Sequence, residues 1–528
     1  MFARTTSCHF EGLATEVVSV EAEILKGFSQ FTIVGLAGTS IQEAKERIRS
    51  AIYSMGVRLP LGRIVINLYP GDVHKAGTQW DLPMAITLLS AMGRISASAI
   101  SSVAFLGELS LDGRLRSVPG ALAMVLALKQ SGKTTIYLPV ENAKDCSRVE
   151  GVILYPVHHL RQVEALLQKK THLQPIQGEK RDDMDAHEPD FSMDFGDLSG
   201  QEPLKRLMEI AVAGRHSLLL VGPPGVGKTM AMSRLPSILP RLCHEEEIEV
   251  LRMQSMSGQS FLRNPFPPFR MPHHTITRAA FLGGGNPPVP GEISLAHKGI
   301  LFLDEMPQFS RELINGLRIP MEEKRIRIHR TRRCLEAPSD FQLMATANPC
   351  PCGYFGDPDH PCTCSATEIR RYRSRLPGPL LDRIDMIYRV TRPSEEDQME
   401  QTVNSREDDD NNSILDSRTM RQHIALARKR QINRYKNEKH TVNAQFSNQQ
   451  DISLLHPTKK ALSLLEILCQ HDHVSLRVRR RLLLVARTIA DLDGKEEVDE
   501  GAVGEAFQYR RTDEGWGTRF LYEHTFMM

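Results

Sequence analysis

The sequence has no apolar stretch approaching the ~20 residues that a membrane-spanning helix requires. "ALAMVLALK" is among its longest and is too short. A bilayer-embedded protein is therefore not expected. The first residues, "MFARTTSCHFEG", lack the charged-then-apolar order of a secretory leader. Cysteine is scarce, nine in 528 residues, and five of the nine (Cys8, Cys146, Cys243, Cys334 and Cys469) are scattered with no pairing logic. That argues against a disulfide-held scaffold and for a reducing, cytoplasmic setting. Net charge is nearly absent, at +2. Composition alone neither demands nor forbids a polyanionic partner, so any basic surface has to be local. The chain also has no internal repeat and no low-complexity tract.

What is present is ordinary material for buried cores, with 41% hydrophobic and 25% charged residues. At ~100–200 residues per domain, the length suggests about three domains. Residues 1–167 alternate short strands ("EVVSVEAEIL", "RIVINLYP") with helical spacing in "TSIQEAKERIRSAIYSMG", which follows a Thr or Ser cap. Residues 168–190 are polar, charged and aperiodic, as in a linker. A second block, 191–392, carries the motifs described next. It ends in an acidic, polar connection at 393–412. Residues 413–511 read as helical, and 512–528 as a tail. In "VSLRVRRRLLLVARTIADLDG", Leu482, Val485, Ile489 and Leu492 share one face, with Ser475 as the cap and Gly494 as the stop.

"SLLLVGPPGVGKTM" is an apolar strand, a glycine-rich turn and a helix start. Gly222, Pro223, Pro224, Gly225, Val226, Gly227, Lys228 and Thr229 fit G-x-x-x-x-G-K-[ST] in full. In such a loop, backbone N–H groups face phosphate oxygens and the glycines permit close approach. Lys228 would reach the β- and γ-phosphates of ATP, and the Thr229 hydroxyl would bind Mg²⁺. A second apolar run, "GILFLDEM", ends in Asp304 and Glu305. The first carboxylate is placed to hold Mg²⁺ through water, and the second to polarise an attacking water. A third run, "FQLMATAN", ends in Asn348, whose amide can bond the γ-phosphate or the lytic water, although an isolated Asn there is more often a turn residue. Arg383 in "GPLLDRIDMIYRV" and Arg477 in "VSLRV" are candidates for transition-state charge, although each alone reads better as an ordinary solvated arginine.

Directly behind Asn348 lie two Cys-x-Cys pairs, Cys350 with Cys352 and Cys362 with Cys364, nine residues apart. Four thiolates suit a tetrahedral Zn²⁺ that stabilises a loop lacking a core. The spacing within each pair is tighter than usual, His360 is a substitute ligand, and an iron–sulfur cluster is the main rival. Residues 324–333 hold six Lys/Arg and no acid. Alternation puts Arg325, Arg327 and His329 on one side of a strand and Ile326 and Ile328 on the other.

With "GPPGVGKT", "PHHTITRAAFLGGGNPPVPGEISLAHKGILFLDE", "ANPCPCGY", "SRLPGPLLDRIDM" and "RVRRRLLLVARTIADLDG", the chain resembles the magnesium-chelatase-like branch of the AAA+ ATPases, and within it the YifB/ComM family. The resemblance covers nearly the whole chain. It implies an α/β fold: an AAA+ P-loop core with a C-terminal helical lid, preceded by a Lon-protease-like α+β domain. It also implies that Lys228 and Thr229 are Walker A, Asp304 and Glu305 Walker B, Asn348 sensor 1 and Arg477 sensor 2. Arg383 becomes the finger that reaches a neighbour's ATP in a ring, usually a hexamer.

The first domain is similar to Lon-type domains in "HKAGTQWDLPMAITLL" and "GELSLDGRLRSVPGAL", yet "AGTQWDLP" has no serine and Leu122 stands where a lysine belongs. Without nucleophile or base, no peptide hydrolysis is expected. In this branch a hairpin ahead of sensor 1 projects into the ring pore, which would let Lys324, Arg325, Arg327 and Arg330 grip DNA phosphates. His273, His274 and Arg278, in a segment resembling the helix-2 insert, either touch DNA or cap turns. The function implied is a ring-shaped, ATP-driven DNA motor for branch migration of single-stranded and branched DNA in natural transformation. The alternative is a magnesium-chelatase-type ATPase subunit that remodels a metal-insertion enzyme.

Overall fold

The computed structural model describes residues 1–11, 14–35, 38–70, 77–179, 193–198, 201–257, 265–285, 288–330, 333–391, 415–436, 441–446, 452–471 and 474–510. The side chains of 11, 14, 39–40 and 328–335 are not described either. The expected connection 393–412 and tail 512–528 lie outside the described residues, as does much of the linker 168–190.

The first unit is a mixed eight-stranded sheet. It contains β1 (Phe2–Glu11), β2 (Ala14–Leu25), β3 (Gln30–Val34), β4 (Arg63–Tyr69) and β5 (Val103–Phe105). A small separate pair, β6 (Glu108–Leu109) and β7 (Leu115–Arg116), precedes β8 (Thr135–Pro139), β9 (Ile153–Val157) and β10 (Ile176–Gln177). The order is β10-β9-β8-β5-β1-β2-β4-β3. Because β10 pairs with β9, the sheet runs to Gln177, past the boundary expected at 167. The helix Thr39–Ser54 starts behind Gly38, so glycine occupies the cap position expected of Thr or Ser. Leu122 is fully buried in the core.

The second unit is a five-stranded parallel sheet. Its strands are β11 (Leu218–Val221), β12 (Phe269–Arg270), β13 (Ile300–Leu303), β16 (Gln342–Ala347) and β17 (Met386–Arg389), in the order β12-β13-β16-β11-β17. β14 (Arg325–Arg330) and β15 (Arg333–Pro338) form a separate antiparallel hairpin between β13 and β16. Apolar residues fill β11, β13 and most of β16, as strands covered on both faces require. All five strands run the same way, so the loops after β11, β13 and β16 meet at one edge of the sheet. That convergence is where open parallel sheets bind ligands.

The third unit is helical: Ser417–Arg434, Lys459–His471, Leu476–Leu492 and Glu500–Gln508. Leu482, Val485 and Ile489 are buried on one face of Leu476–Leu492. The Ser475 hydroxyl accepts from Val478 N–H at its start, and Gly494 takes the left-handed turn beyond its end. Its core is continuous with that of the parallel sheet, because Val485 and Ile489 cluster with Leu207, Leu218 and Met386.

The first unit docks on the second through the helices Ala121–Gln130 and His244–Met256. Gly120 N–H donates to Ser255 O at 3.0 Å, Arg148 pairs with Glu247, and Leu251 enters the first unit's core. Ala123 also meets Ile326 and Ala337 at the hairpin base.

Candidate active site

The turn after β11 is shaped by two glycines that adopt the left-handed region, Gly225 (φ 84°) and Gly227 (φ 85°), where a side chain would be strained. The Lys228 ammonium folds back over this loop. It donates to Gly222 O at 2.6 Å, Pro223 O at 2.7 Å and the Asn348 amide oxygen at 3.2 Å. Burial lowers the Lys228 pKa to about 8, against the pull of Asp304 and Glu305. Thr229 Oγ1 donates to the Asp304 carboxylate at 3.1 Å. Lys228, Thr229, Asp304 and Asn348 therefore meet at the carboxyl edge of the sheet, although they lie up to 120 residues apart in sequence.

Sequence reading missed Thr346. Its hydroxyl donates to Asp304 Oδ1 at 2.5 Å and accepts from Glu305 N–H at 2.9 Å. Glu305 itself sits at φ 49°, a left-handed conformation costing about 1–2 kcal/mol for a non-glycine residue. Thr346 offsets part of that cost through its bond to the Glu305 backbone, while the Glu305 side chain is exposed. The signal was available: Thr346 is the one polar residue within an otherwise apolar strand end, "MATA", on the strand next to β13.

The two arginines are elsewhere. β11 and β17 are parallel, with Leu218 opposite Met386 and Val221 opposite Arg389. Arg383 precedes β17, and its carbonyl accepts from Ser217 Oγ at 3.2 Å, at the amino edge of the sheet. Four residues at ~3.3 Å each put about 13 Å of strand between that edge and the glycine loop. Arg383 is buried and pairs with Glu322 at 2.8 Å, and Arg477 pairs with the same carboxylate. Burial works to raise the Glu322 pKa, but the guanidiniums of Arg383 and Arg477 outweigh it and hold it below the usual range. So the structure does not bring Arg383 or Arg477 to the chain's own glycine loop; it brings them to each other.

The basic hairpin leaves from that same edge. Arg325 and Arg327 are exposed, but each is matched by Glu336 from the opposing strand, at 3.4 and 2.8 Å, and by Glu323 at 3.9 and 3.6 Å. The acid-free run 324–333 is thus only one strand of a hairpin whose other strand brings an acid, a pairing set by register. Lys324 turns inward to Asp340, at 3.5 Å. Asp340 also meets Arg215, Lys298 and, from the helical unit, Gln445. Those cations hold its carboxyl well below the ordinary range despite burial. Arg330 lies on β14, but its side chain is outside the described residues. His273 caps its own turn, with Nδ1 at 2.8 Å from Thr275 Oγ1, and Arg278 pairs with Glu312 at 3.1 Å.

Cys350, Cys352, Cys362 and Cys364 converge, with all four sulfurs within 4.8 Å of one another. Three of the separations are 3.3, 3.5 and 3.6 Å, far beyond a disulfide's ~2.05 Å and near the ~3.8 Å tetrahedral edge implied by Zn–S bonds of ~2.3 Å. An iron–sulfur cluster would place each thiolate on one of several irons and spread the sulfurs wider than this. A single thiophilic ion fits. His360 is not part of the group, because its ring stacks on Tyr354 at 5.1 Å.

The parallel sheet order, the glycine loop and the paired acidic strand end define a P-loop protein of the AAA+ type. Comparison with known families agrees. "Magnesium chelatase, subunit ChlI" matches residues 194–398, "Subunit ChlI of Mg-chelatase" 20–142, and "Magnesium chelatase, subunit ChlI C-terminal" 415–510. The chain is 37% identical to Escherichia coli YifB over 95% of its own length and 96% of that protein's. It is 35% identical to the competence protein ComM of Haemophilus influenzae over 94% and 95% of the two chains. It is also 28% identical to the Lon protease of Syntrophomonas wolfei over 30% of this chain and 21% of that one. The chain belongs to the YifB/ComM family of magnesium-chelatase-like AAA+ proteins.

Proposed function

We propose that the chain is a ring-forming ATPase that drives DNA branch migration or unwinding during the recombination that accompanies natural transformation. The observation that carries the ring is the separation of Arg383 and Arg477 from the glycine loop of their own chain, together with their convergence on Glu322. A phosphoryl-transfer site needs positive charge at the γ-phosphate, and guanidinium supplies it as a planar fork. With Arg383 about 13 Å of strand away and Arg477 paired to the same Glu322, the site is completed by the next copy around a ring, a homo-hexamer in this reading.

In that reading Gly222–Thr229 cradle ATP, with Thr229 and Asp304 holding Mg²⁺. Glu305 polarises water, Asn348 contacts the γ-phosphate or that water, and Zn²⁺ occupies the four cysteines. Glu322 holds the arginines in place until a neighbour's triphosphate competes for them. The hairpin springs from the same edge, so nucleotide state at the subunit boundary can move Arg325, Arg327 and Arg330 along a DNA backbone. Similarity to ComM over the full chain supports DNA as the track, and among the described residues no helix is long and apolar enough to cross a membrane.

The magnesium-chelatase reading is kept because all three matching family profiles bear that name. One experiment separates the two. Purified protein is given ATP, Mg²⁺ and a synthetic three-strand branched DNA, with Lys228→Ala as the control. ATP-dependent strand exchange, absent in the control, is expected. ATP turnover that is indifferent to DNA, with no strand displaced, would overturn the DNA-motor reading in favour of a remodelling subunit.

A further inference from the structure

Residues 349–364 contain no helix or strand, and Cys350 and Gly353 are among the few that are buried. Such a segment has little packing to offset its ordering entropy. Even so, it is tied to the nucleotide cradle on several sides. Cys350 is two residues beyond Asn348, whose amide oxygen accepts from Lys228 at 3.2 Å. Gly353 packs so closely on the glycine loop that a Cβ there would lie 2.8 Å from Pro224 Cδ. Arg389, opposite Val221 on the adjoining strand, donates to Gly356 O at 2.7 Å. Arg373 donates to Pro349 O at 3.2 Å, and its guanidinium lies 4.8 Å from the Phe355 ring centre. Backbone N–H groups point at the sulfurs: Phe355 N–H donates to Cys350 Sγ at 3.3 Å and Cys352 N–H to Cys364 Sγ at 3.4 Å.

We infer that one Zn²⁺ held by Cys350, Cys352, Cys362 and Cys364 is a positioning element of the nucleotide site. It fixes Asn348 on one side of Lys228 and the glycine loop at Pro224 on the other. The inference rests on the reading of Gly222–Thr229 as the ATP cradle. With the ion bound, the knuckle is rigid and Gly353 forms a wall for the loop. Without it the segment regains its freedom, and both contacts loosen together. The ion takes no part in the chemistry.

The test uses the full-length protein purified in reductant without chelator. Elemental analysis is expected to find one zinc per chain, and Co²⁺ substitution to produce the visible bands of a tetrathiolate. Zinc is then released stepwise with a mercurial while a fluorescent ATP analogue reports affinity. The dissociation constant should rise about tenfold or more in step with release, as a misplacement near 1 Å would cause, and should recover when Zn²⁺ and reductant are returned. Because Cys362→Ser can simply misfold, Gly353→Ala supplies a second arm. At φ 91° and against Pro224 it should weaken the analogue several-fold while the chain still carries one zinc. Four freely alkylated thiols in metal-free protein, an affinity unchanged through zinc release, or wild-type affinity in Gly353→Ala would each overturn the inference. Lys228→Ala is the internal control. If it too leaves the analogue's affinity unchanged, the cradle reading is at fault; if it abolishes binding while zinc release does nothing, only the brace is.

Discussion

The two edges of the five-stranded sheet carry opposite kinds of site. At the carboxyl edge, loops from three strands bring Lys228, Thr229, Asp304 and Asn348 into mutual hydrogen bonds. At the amino edge, Arg383 and Arg477 are held on one carboxylate, Glu322, with nothing there to hydrolyse. The first edge presents a glycine loop with a lysine and two acids, and the second a pair of arginines that share one acid. In the proposed ring the arginines of one copy would reach the cradle of the next, since about 13 Å of strand separates Arg383 from the glycine loop of its own chain. The proposed division of chemistry between subunits rests on this difference, with Glu322 as the shared partner of both arginines within one chain.

The largest effects should come from breaking one edge at a time. Lys228→Ala removes the ammonium from the cradle, so nucleotide binding and hydrolysis should both disappear. Arg383→Ala should lower hydrolysis by about a thousandfold, the lower end of what such arginines contribute, while affinity for ATP changes little. Mixing the two variants should restore part of the activity, because some boundaries then pair an intact cradle with an intact arginine. Rings that form from the mixture yet stay inactive would break the comparison. A smaller loss, about a hundredfold in turnover with ATP still bound, is expected for Glu305→Gln, whose amide is a poor acceptor for a proton from water.

Thr346→Val should cost about tenfold in turnover, because Asp304 and the backbone of Glu305 both lose a hydrogen bond worth about 1–1.5 kcal/mol. The variant sharpens the account of the carboxyl edge: unchanged kinetics would mean that Thr346 only supports the strand. Neutralising Arg325 and Arg327 should weaken DNA binding modestly and reduce the salt-dependence slope by at most about two. Basal ATP turnover should hold while DNA-stimulated turnover and strand exchange fall. The effect is limited because Glu336 and Glu323 already share those charges. A loss of basal turnover would tie the hairpin to the nucleotide edge instead.

The smallest effect is in pH. The Lys228 pKa is lowered to about 8 in the empty cradle, and a bound triphosphate stabilises the protonated form. Affinity is therefore full below pH 8 and falls as pH rises through it. Between pH 7.5 and 8.5 the protonated fraction drops about threefold, and the dissociation constant measured with a fluorescent ATP analogue should rise to match. A flat profile would mean that phosphate is held by the loop N–H groups alone.

Much of the carboxyl edge was legible because its residues lie at fixed offsets from strands. A lysine after a glycine loop, two acids closing an apolar run and four cysteines in two pairs are local patterns, and local patterns survive in sequence. Thr346 was passed over because one threonine in an apolar strand has no signature until the neighbouring strand is known. The acids that answer Arg325 and Arg327 were missed for a related reason: Glu336 comes into range only through the hairpin register, nine residues beyond Arg327.

By itself, then, the sequence determined the cradle, its carboxylates and the thiol cluster. These depend on backbone turns and strand ends that a few neighbouring residues dictate. Only the tertiary structure decided where the cations go: Arg383 to Glu322 rather than to ATP, Lys324 inward to Asp340, and the knuckle's Gly353 onto Pro224. The physical reason is distance along the chain. Glu322 lies 155 residues from Arg477, and no periodicity or propensity acts over such a span. Packing of one unit against another brings those charges together, and Coulomb attraction then selects which of them pair.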